Sequence, residues 1–296
     1  MESPRLSPTL KWLFKITVSA VALYVVFRKI EISQIQKLVC DLRLSLVFLA
    51  FVFFNFSQLT SAFRYRKYLK IVDIQLNALR NIKLYYLGMF YNLFLPGGIG
   101  GDGYKVWILK KEYNTPWKPL ILISFLERLN GLAALVTLAL VIMAFVLARE
   151  AISIPAPLYV LLATLIFPIL YLIISLIDKK YTTNFKVITL QSLSIQLLQL
   201  ISAYFILASL GLDSGFASYL FLFLLSSVAA VLPITLGGVG ARELVFIYGN
   251  ALLPIDTGLA VTFSLLFFLI TALSSFIGVL FNARIRNPGT ALQCWL

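Results

Sequence analysis

Three carboxylates and two arginines stand where a charged side chain is hardest to keep. Asp102, the Glu127-Arg128 pair and the Arg242-Glu243 pair all lie inside apolar runs or at breaks in them. A charge at the centre of a membrane helix costs roughly 2.5–3.5 kcal/mol on insertion scales, so each needs a partner or a wet cavity. Glu127 and Arg128 are neighbours, about 100° apart on a helix, and cannot face each other well. The same holds for Arg242 and Glu243 if they open a helix. The spacing therefore predicts cross-pairing, Glu127 with Arg242 and Arg128 with Glu243. Such a set can act as a structural ion-pair lock. It can also hold a lipid headgroup, with Arg128, Arg242 and Lys105 on a phosphate and Asp102, Glu127 and Glu243 on a cationic or hydroxylated part. Isolated ionisable groups inside a membrane are functional by default, which favours the second role.

Asp102 and the Arg242-Glu243 pair stand at breaks in the apolar pattern. From Asn92 the chain reads Asn-Leu-Phe-Leu-Pro-Gly-Gly-Ile-Gly-Gly-Asp-Gly-Tyr-Lys, with Pro96, Gly97, Gly98, Gly100, Gly101 and Gly103 around Asp102. From Leu232 it reads Leu-Pro-Ile-Thr-Leu-Gly-Gly-Val-Gly-Ala-Arg-Glu, so Pro233, Gly237, Gly238 and Gly240 precede Arg242 and Glu243. Proline removes a backbone donor and glycine admits close approaches, so both stretches interrupt a helix. Within a membrane, broken backbone persists only where protein or a water-filled cavity satisfies it. Paired breaks in corresponding positions of two halves point to a transport site. Gly98, Gly100 and Gly103 also spell G-x-G-x-x-G, but no βαβ unit surrounds them and the dinucleotide reading fails. A phosphate on the exposed amides or the following helix start remains physically reasonable.

Composition sets the class. The chain of 296 residues is 60% hydrophobic and 12% charged, against roughly 25% charged in a soluble domain. The formal charge of +13 sits in short clusters between apolar runs. That is the pattern of cytoplasmic loops over anionic headgroups, not of a nucleic-acid surface. Absence of His excludes a His-based triad or His-ligated metal site. Cys40 and Cys294 form no metal spacing.

Taken in order, full spans are predicted at Trp12–Phe27, Leu44–Phe63, Pro119–Leu147, Leu158–Ile177, Val187–Leu210 and Thr257–Phe281. Asn55 and Gln58 share a face of the second, as helix glue or pathway lining. Ser192, Gln196 and Gln199 form a polar stripe that should face inward. Arg64, Arg66, Lys67, Lys70, Arg80 and Lys83 read as a cytoplasmic basic run. The apolar run Leu84–Leu95 is too short to cross, and Lys105, Lys110, Lys111 and Lys118 follow the break. Leu84 to about Leu109 is therefore predicted to enter the membrane and return to the same face. Phe216–Val231 and Leu244–Leu253 form the matching element around the second break. The expectation is an all-α polytopic membrane protein, one domain over residues 1–296. It has about six full transmembrane helices and two Pro/Gly-broken re-entrant elements, in an inverted repeat of halves roughly 1–150 and 151–296. Both termini are then cytoplasmic.

The stretch Asn92 to Asp102, the Glu127-Arg128 pair and the stretch Pro233 to Glu243 together resemble the lysylphosphatidylglycerol synthase transmembrane-region family, over nearly the whole chain. The resemblance implies a flippase-like fold that handles membrane lipids, anionic or lipid-linked, in a prokaryotic inner membrane. It implies a stand-alone member without the soluble aminoacyl-transferring domain, hence no synthase activity and no cofactor. A separate lipid-synthesising enzyme and a second copy of the chain are the protein partners it admits. Where the family commonly places Arg after the glycine motif, Tyr104-Lys105 stands here, and Lys is not a bidentate phosphate donor. The rival classes are an integral-membrane transferase acting on a lipid-linked substrate, with Asp102 as base or metal ligand, and a non-catalytic partner of a lipid synthase. No metal-binding D-x-D accompanies Asp102.

Overall fold

The computed structural model describes residues 41–94, 100–149, 156–231 and 241–282. These residues form an all-helical bundle. In chain order the helices are α1 (Leu44–Ile71), α2 (Ala78–Phe94), α3 (Gly100–Tyr113), α4 (Trp117–Arg149), α5 (Ala156–Ile177), α6 (Phe185–Ser209), α7 (Phe216–Val231), α8 (Ala241–Gly249) and α9 (Thr257–Asn282). A short 3-10 turn, Lys179–Thr182, joins α5 to α6. Among the described residues five helices are long and apolar enough to cross a membrane: α1, most of α4, most of α5, α6 and most of α9. These match five of the expected spans. The first, Trp12–Phe27, lies outside the described residues, as do Pro96, Gly98, Pro233, Gly237, Gly238 and Gly240.

Two boundaries differ instructively from the sequence pattern. Helix α1 does not stop at Phe63 but runs on to Ile71, because Arg64 to Lys70 contains no breaker and charge alone does not end a helix. The turn comes at Asp73, whose φ of 62° is left-handed. Arg66 Nε then reaches across to donate to the carbonyl of Leu76 at 2.7 Å. Likewise α2 starts at Ala78, capped by Asn77, whose side-chain oxygen accepts from the Arg80 amide at 2.7 Å. Arg80 and Lys83 are thus helical. Arg80 meets Glu112 across the α2–α3 hairpin at 2.7 Å.

The element order long, short, break, short, long occurs twice, as α1 to α4 and as α6 to α9. The two sets interlock. Helices α1 and α6 pack together along their lengths, α2 leans on α9, and α7 leans on α4. Helix α5 stands outermost, its apolar side chains largely exposed. Two large apolar cores result among the described residues, with a small third cluster at Ile247 and Val261. One gathers Phe54, Leu207, Phe223, Phe246, Phe263 and Phe267; the other gathers Tyr65, Leu69, Leu109, Ile123, Leu126 and Ile174. Between them runs a buried polar layer drawn from the same helices: Ser57, Gln58, Ser61 and Arg64 on α1, Glu127 and Asn130 on α4, Ser192 and Gln196 on α6.

Close backbone contact is what lets the hairpin pack. A Cβ on Gly101 would lie 1.8 Å from the Gly88 carbonyl oxygen, so only glycine fits this crossing. The Gly101 amide instead donates to Asn92 Oδ1 at 2.8 Å. Gly103, one turn face away, has nothing within 4 Å of a Cβ. Thermal unfolding in detergent should separate them by sign. Gly103→Ala should hold or raise the midpoint, since Gly in a helix is about 1 kcal/mol worse than Ala, whereas Gly101→Ala should lower stability by about 1–3 kcal/mol through overpacking.

Candidate functional site

Asp102 and Lys105 sit in the first two turns of α3, three residues apart, and so share a face. That face meets α4 at Glu127 and Arg128. Lys105 Nζ lies 2.9 Å from Asp102 and 3.5 Å from Glu127, and it stacks over the rings of Tyr65 at 4.2 Å and Tyr85 at 4.9 Å. Only 3% of Lys105 is exposed, and carboxylates with aromatic faces replace its water. Arg128 Nε donates to Asp102 Oδ2 at 2.6 Å. Glu127 also faces Arg64, at 3.5 Å, and Arg64 is held by a 2.8 Å hydrogen bond to Ser192 on α6. Around this cluster stand three bases, Arg64, Lys105 and Arg128, against two acids, Asp102 and Glu127.

The cluster lines a cavity of about 220 Å³, whose wall also carries Asn92 and Gln196. Two acceptor atoms on this wall, Glu127 Oε1 and Gln196 Oε1, are buried without a hydrogen-bond partner. A second cavity of about 240 Å³ shares Met89 and Asn92 with the first and is lined by Gln58, Gln199, Thr271 and Arg242. The Arg242 guanidinium lies 5.1 Å from the Phe267 ring centroid and 6.0 Å from that of Phe223. It makes no ion pair among the described residues. Glu243, by contrast, is buried and accepts from the Ser264 hydroxyl at 2.8 Å.

The expected cross-pairing is therefore corrected. Glu127 takes Arg64 and Lys105 as its partners, not Arg242, and Arg128 takes Asp102. The reason is that α3 and the inward face of α1 reach α4 first, while Arg242 points to the aromatic side of α9. Asn92, Gly101, Asp102, Lys105, Glu127 and Arg128 are brought together; Gly100 opens α3 beside them, and Arg242 belongs to the adjoining cavity with Glu243 turned to α9. Arg64 was hidden by its place in a basic run that reads as cytoplasmic. Its signal is the helical register: Ser57, Ser61 and Arg64 recur at spacings of four and three, and all three are buried. The α6 stripe faces inward as expected, with Ser192 and Gln196 buried. Asn55 and Gln58 divide the two roles open to them. Asn55 bonds Ser274 and Tyr86, each at 3.0 Å, as helix glue; Gln58 lines the second cavity.

A family model described as the lysylphosphatidylglycerol synthase TM region matches residues 12–188 and 181–278 of the chain. No curated protein matches it.

Removing one member of a buried ion pair leaves the other uncompensated, at about 3–5 kcal/mol. Glu127→Ala should thus lower stability in detergent by about that amount, since Arg64 and Lys105 both lose it. Arg242→Gln orphans no carboxylate in a described ion pair, so it should forfeit only ring contacts, about 1–2 kcal/mol. Chemical unfolding of purified variants measures both.

Proposed function

The chain belongs to the lysylphosphatidylglycerol synthase transmembrane-region family, and from that premise we propose that this integral membrane protein is a lipid translocator. It moves a phospholipid or lipid-linked headgroup between leaflets and leaves it chemically unchanged. One observation carries the reading most: polar groups of both signs on adjoining cavity walls are left without a hydrogen-bond partner among the described residues, although Glu127 Oε1 faces Arg64 at 3.5 Å. Arg242 makes no ion pair among the described residues, and Glu127 Oε1 and Gln196 Oε1 accept no hydrogen bond. A headgroup that carries a phosphate and also ammonium or hydroxyl donors would satisfy the two sets at once. A guanidinium is suited to phosphate because it offers a planar fork of donors.

In this reading the headgroup crosses through the two cavities past Asn92 and Met89, and the acyl chains stay in the bilayer. Lys105 no longer serves as the phosphate ligand; held by two carboxylates, it fixes the positions of Asp102 and Glu127. The hairpins α2–α3 and α7–α8 act as re-entrant elements entering from opposite faces, and the two halves form an inverted repeat that rocks about the site. The protein resides in a prokaryotic inner membrane with both termini cytoplasmic. A separate lipid-synthesising enzyme would supply its cargo.

The test is leaflet exchange in proteoliposomes with a panel of headgroup-labelled lipids. Wild-type protein should accelerate exchange of at least one anionic or lipid-linked species. Arg242→Gln should slow it about ten- to hundredfold, the loss expected for a charge-assisted hydrogen bond of about 1.5–3 kcal/mol. Unchanged exchange in that variant removes Arg242 from the site. No exchange of any lipid by correctly inserted protein sinks the translocator reading, and recovery of chemically altered lipid replaces it with an enzyme.

A further inference from the structure

A groove of about 340 Å³ opens on the outer face of the α3–α4 pair. Its floor is Val106 and Ser124, its walls are Trp117, Ile121 and Phe125, and Asp102 and Arg128 form one edge. Ile121 and Phe125 are more than half exposed although they lie within a membrane-spanning helix. Gly103 leaves the groove open, since nothing stands within 4 Å of its missing Cβ. At the other end Lys110 Nζ sits 4.6 Å over the Trp117 ring, and Lys111 lies 5.4 Å from that of Trp107. Lysines and tryptophans gathered in this way mark the headgroup level of a bilayer. Trp117 and Arg128 are eleven residues apart on one helix, about 16 Å at a rise of 1.5 Å per residue. That is about half of a 30 Å hydrocarbon core.

The ion pair at the inner end is the important feature. Asp102 and Arg128 line this apolar groove and also line the polar cavity on the other side. They are a wall one side chain thick between bilayer and cavity. The wall is made of a pair that can separate without orphaning its acid, because Asp102 keeps Lys105 at 2.9 Å. Behind it the bases outnumber the acids. An apolar trough that meets a cationic surplus across such a wall fits one kind of molecule: an anionic lipid with its chain outside and its phosphate at the wall.

We propose that the α3–α4 groove seats an acyl chain of an anionic glycerophospholipid, and that the Asp102–Arg128 pair is the lateral gate through which its phosphate enters the polar cavity. This deepens the translocator reading and rests on it for the identity of the cargo. As the phosphate takes Arg128, Asp102 falls back on Lys105 alone. Two larger apolar cavities, one lined by Phe221, Leu225 and Tyr248 and one by Val141, Phe145 and Phe216, have no charged edge and no such continuity.

The probe is phosphatidylglycerol with a photoreactive group in one acyl chain, incorporated in phosphatidylcholine vesicles with the full chain and mapped after irradiation. Labelling should concentrate on Ile121 and Phe125 over the equally exposed face of α5. It should fall severalfold with Arg128→Gln, with Gly103→Phe, and with photoreactive phosphatidylcholine in place of phosphatidylglycerol. Equal labelling of α4 and α5, or equal labelling by the two lipids, would mean ordinary bilayer contact and overturn the groove. Leaflet exchange measured on the same vesicles separates the two readings. Exchange that persists in folded Gly103→Phe sinks the gate alone, whereas selective labelling without any exchange sinks the translocator and leaves the binding site. Leu225→Trp, in a cavity without a charged edge, should change neither readout.

Discussion

The arrangement depends on the difficulty of keeping charge away from water inside a membrane bundle. Lys105 is the centre of that problem. It is almost wholly enclosed, and it is surrounded by two carboxylates from two helices and two tyrosine rings from two others. Each of these partners fixes an element: Asp102 the start of α3, Glu127 the middle of α4, Tyr65 the inner half of α1, Tyr85 the face of α2. Buried ion pairs are weak sources of net stability but severe when broken. Because the four partners of Lys105 come from four helices, sliding any one of α1, α2, α3 and α4 along the others takes a partner away from the ammonium.

The same layer explains why the two large cores of the described residues are separate. Phe54 and Tyr65 lie on one helix yet belong to different clusters, with Ser57, Gln58, Ser61 and Arg64 between them. A continuous apolar core would have no place for a headgroup. Splitting it leaves a stratum where polar side chains from α1, α4 and α6 converge, and the cavities open there. The small hydroxyl side chains in this stratum return their hydrogens to the preceding turn, as Ser57 does to Phe54 at 2.6 Å and Ser192 to Ile188 at 2.9 Å. Ser192 uses its remaining lone pairs to hold Arg64.

Much of this was readable from residues. The five described spans follow from apolar length, and the α6 stripe follows from its spacing of four and three. The intramembrane charges were identified by the same rule that makes them expensive. Pairing was not readable, because adjacent charges on one helix say only that they diverge. Which neighbour each one meets depends on how α3 lies between α2 and α4, and its close approach to α2 at Gly101 and Gly88 is one that no pattern of polarity encodes. Arg64 escaped for a related reason. A base at the end of an apolar run looks the same whether the helix stops there or continues for two more turns.

The crossed supports of α2 and α7 have a mechanical consequence. Helix α2 rests on α9, so closely that a Cβ on Gly278 would lie 2.3 Å from the Tyr86 carbonyl oxygen, and α7 rests on α4. Of the four short helices, α2 and α7 are thus braced by a long helix distant in sequence, whereas α3 and α8 lean on α4 and α9, the long helices that follow them in the chain. A contact as close as that of Gly278 with Tyr86 leaves no slack, so α2 cannot shift without repacking α9.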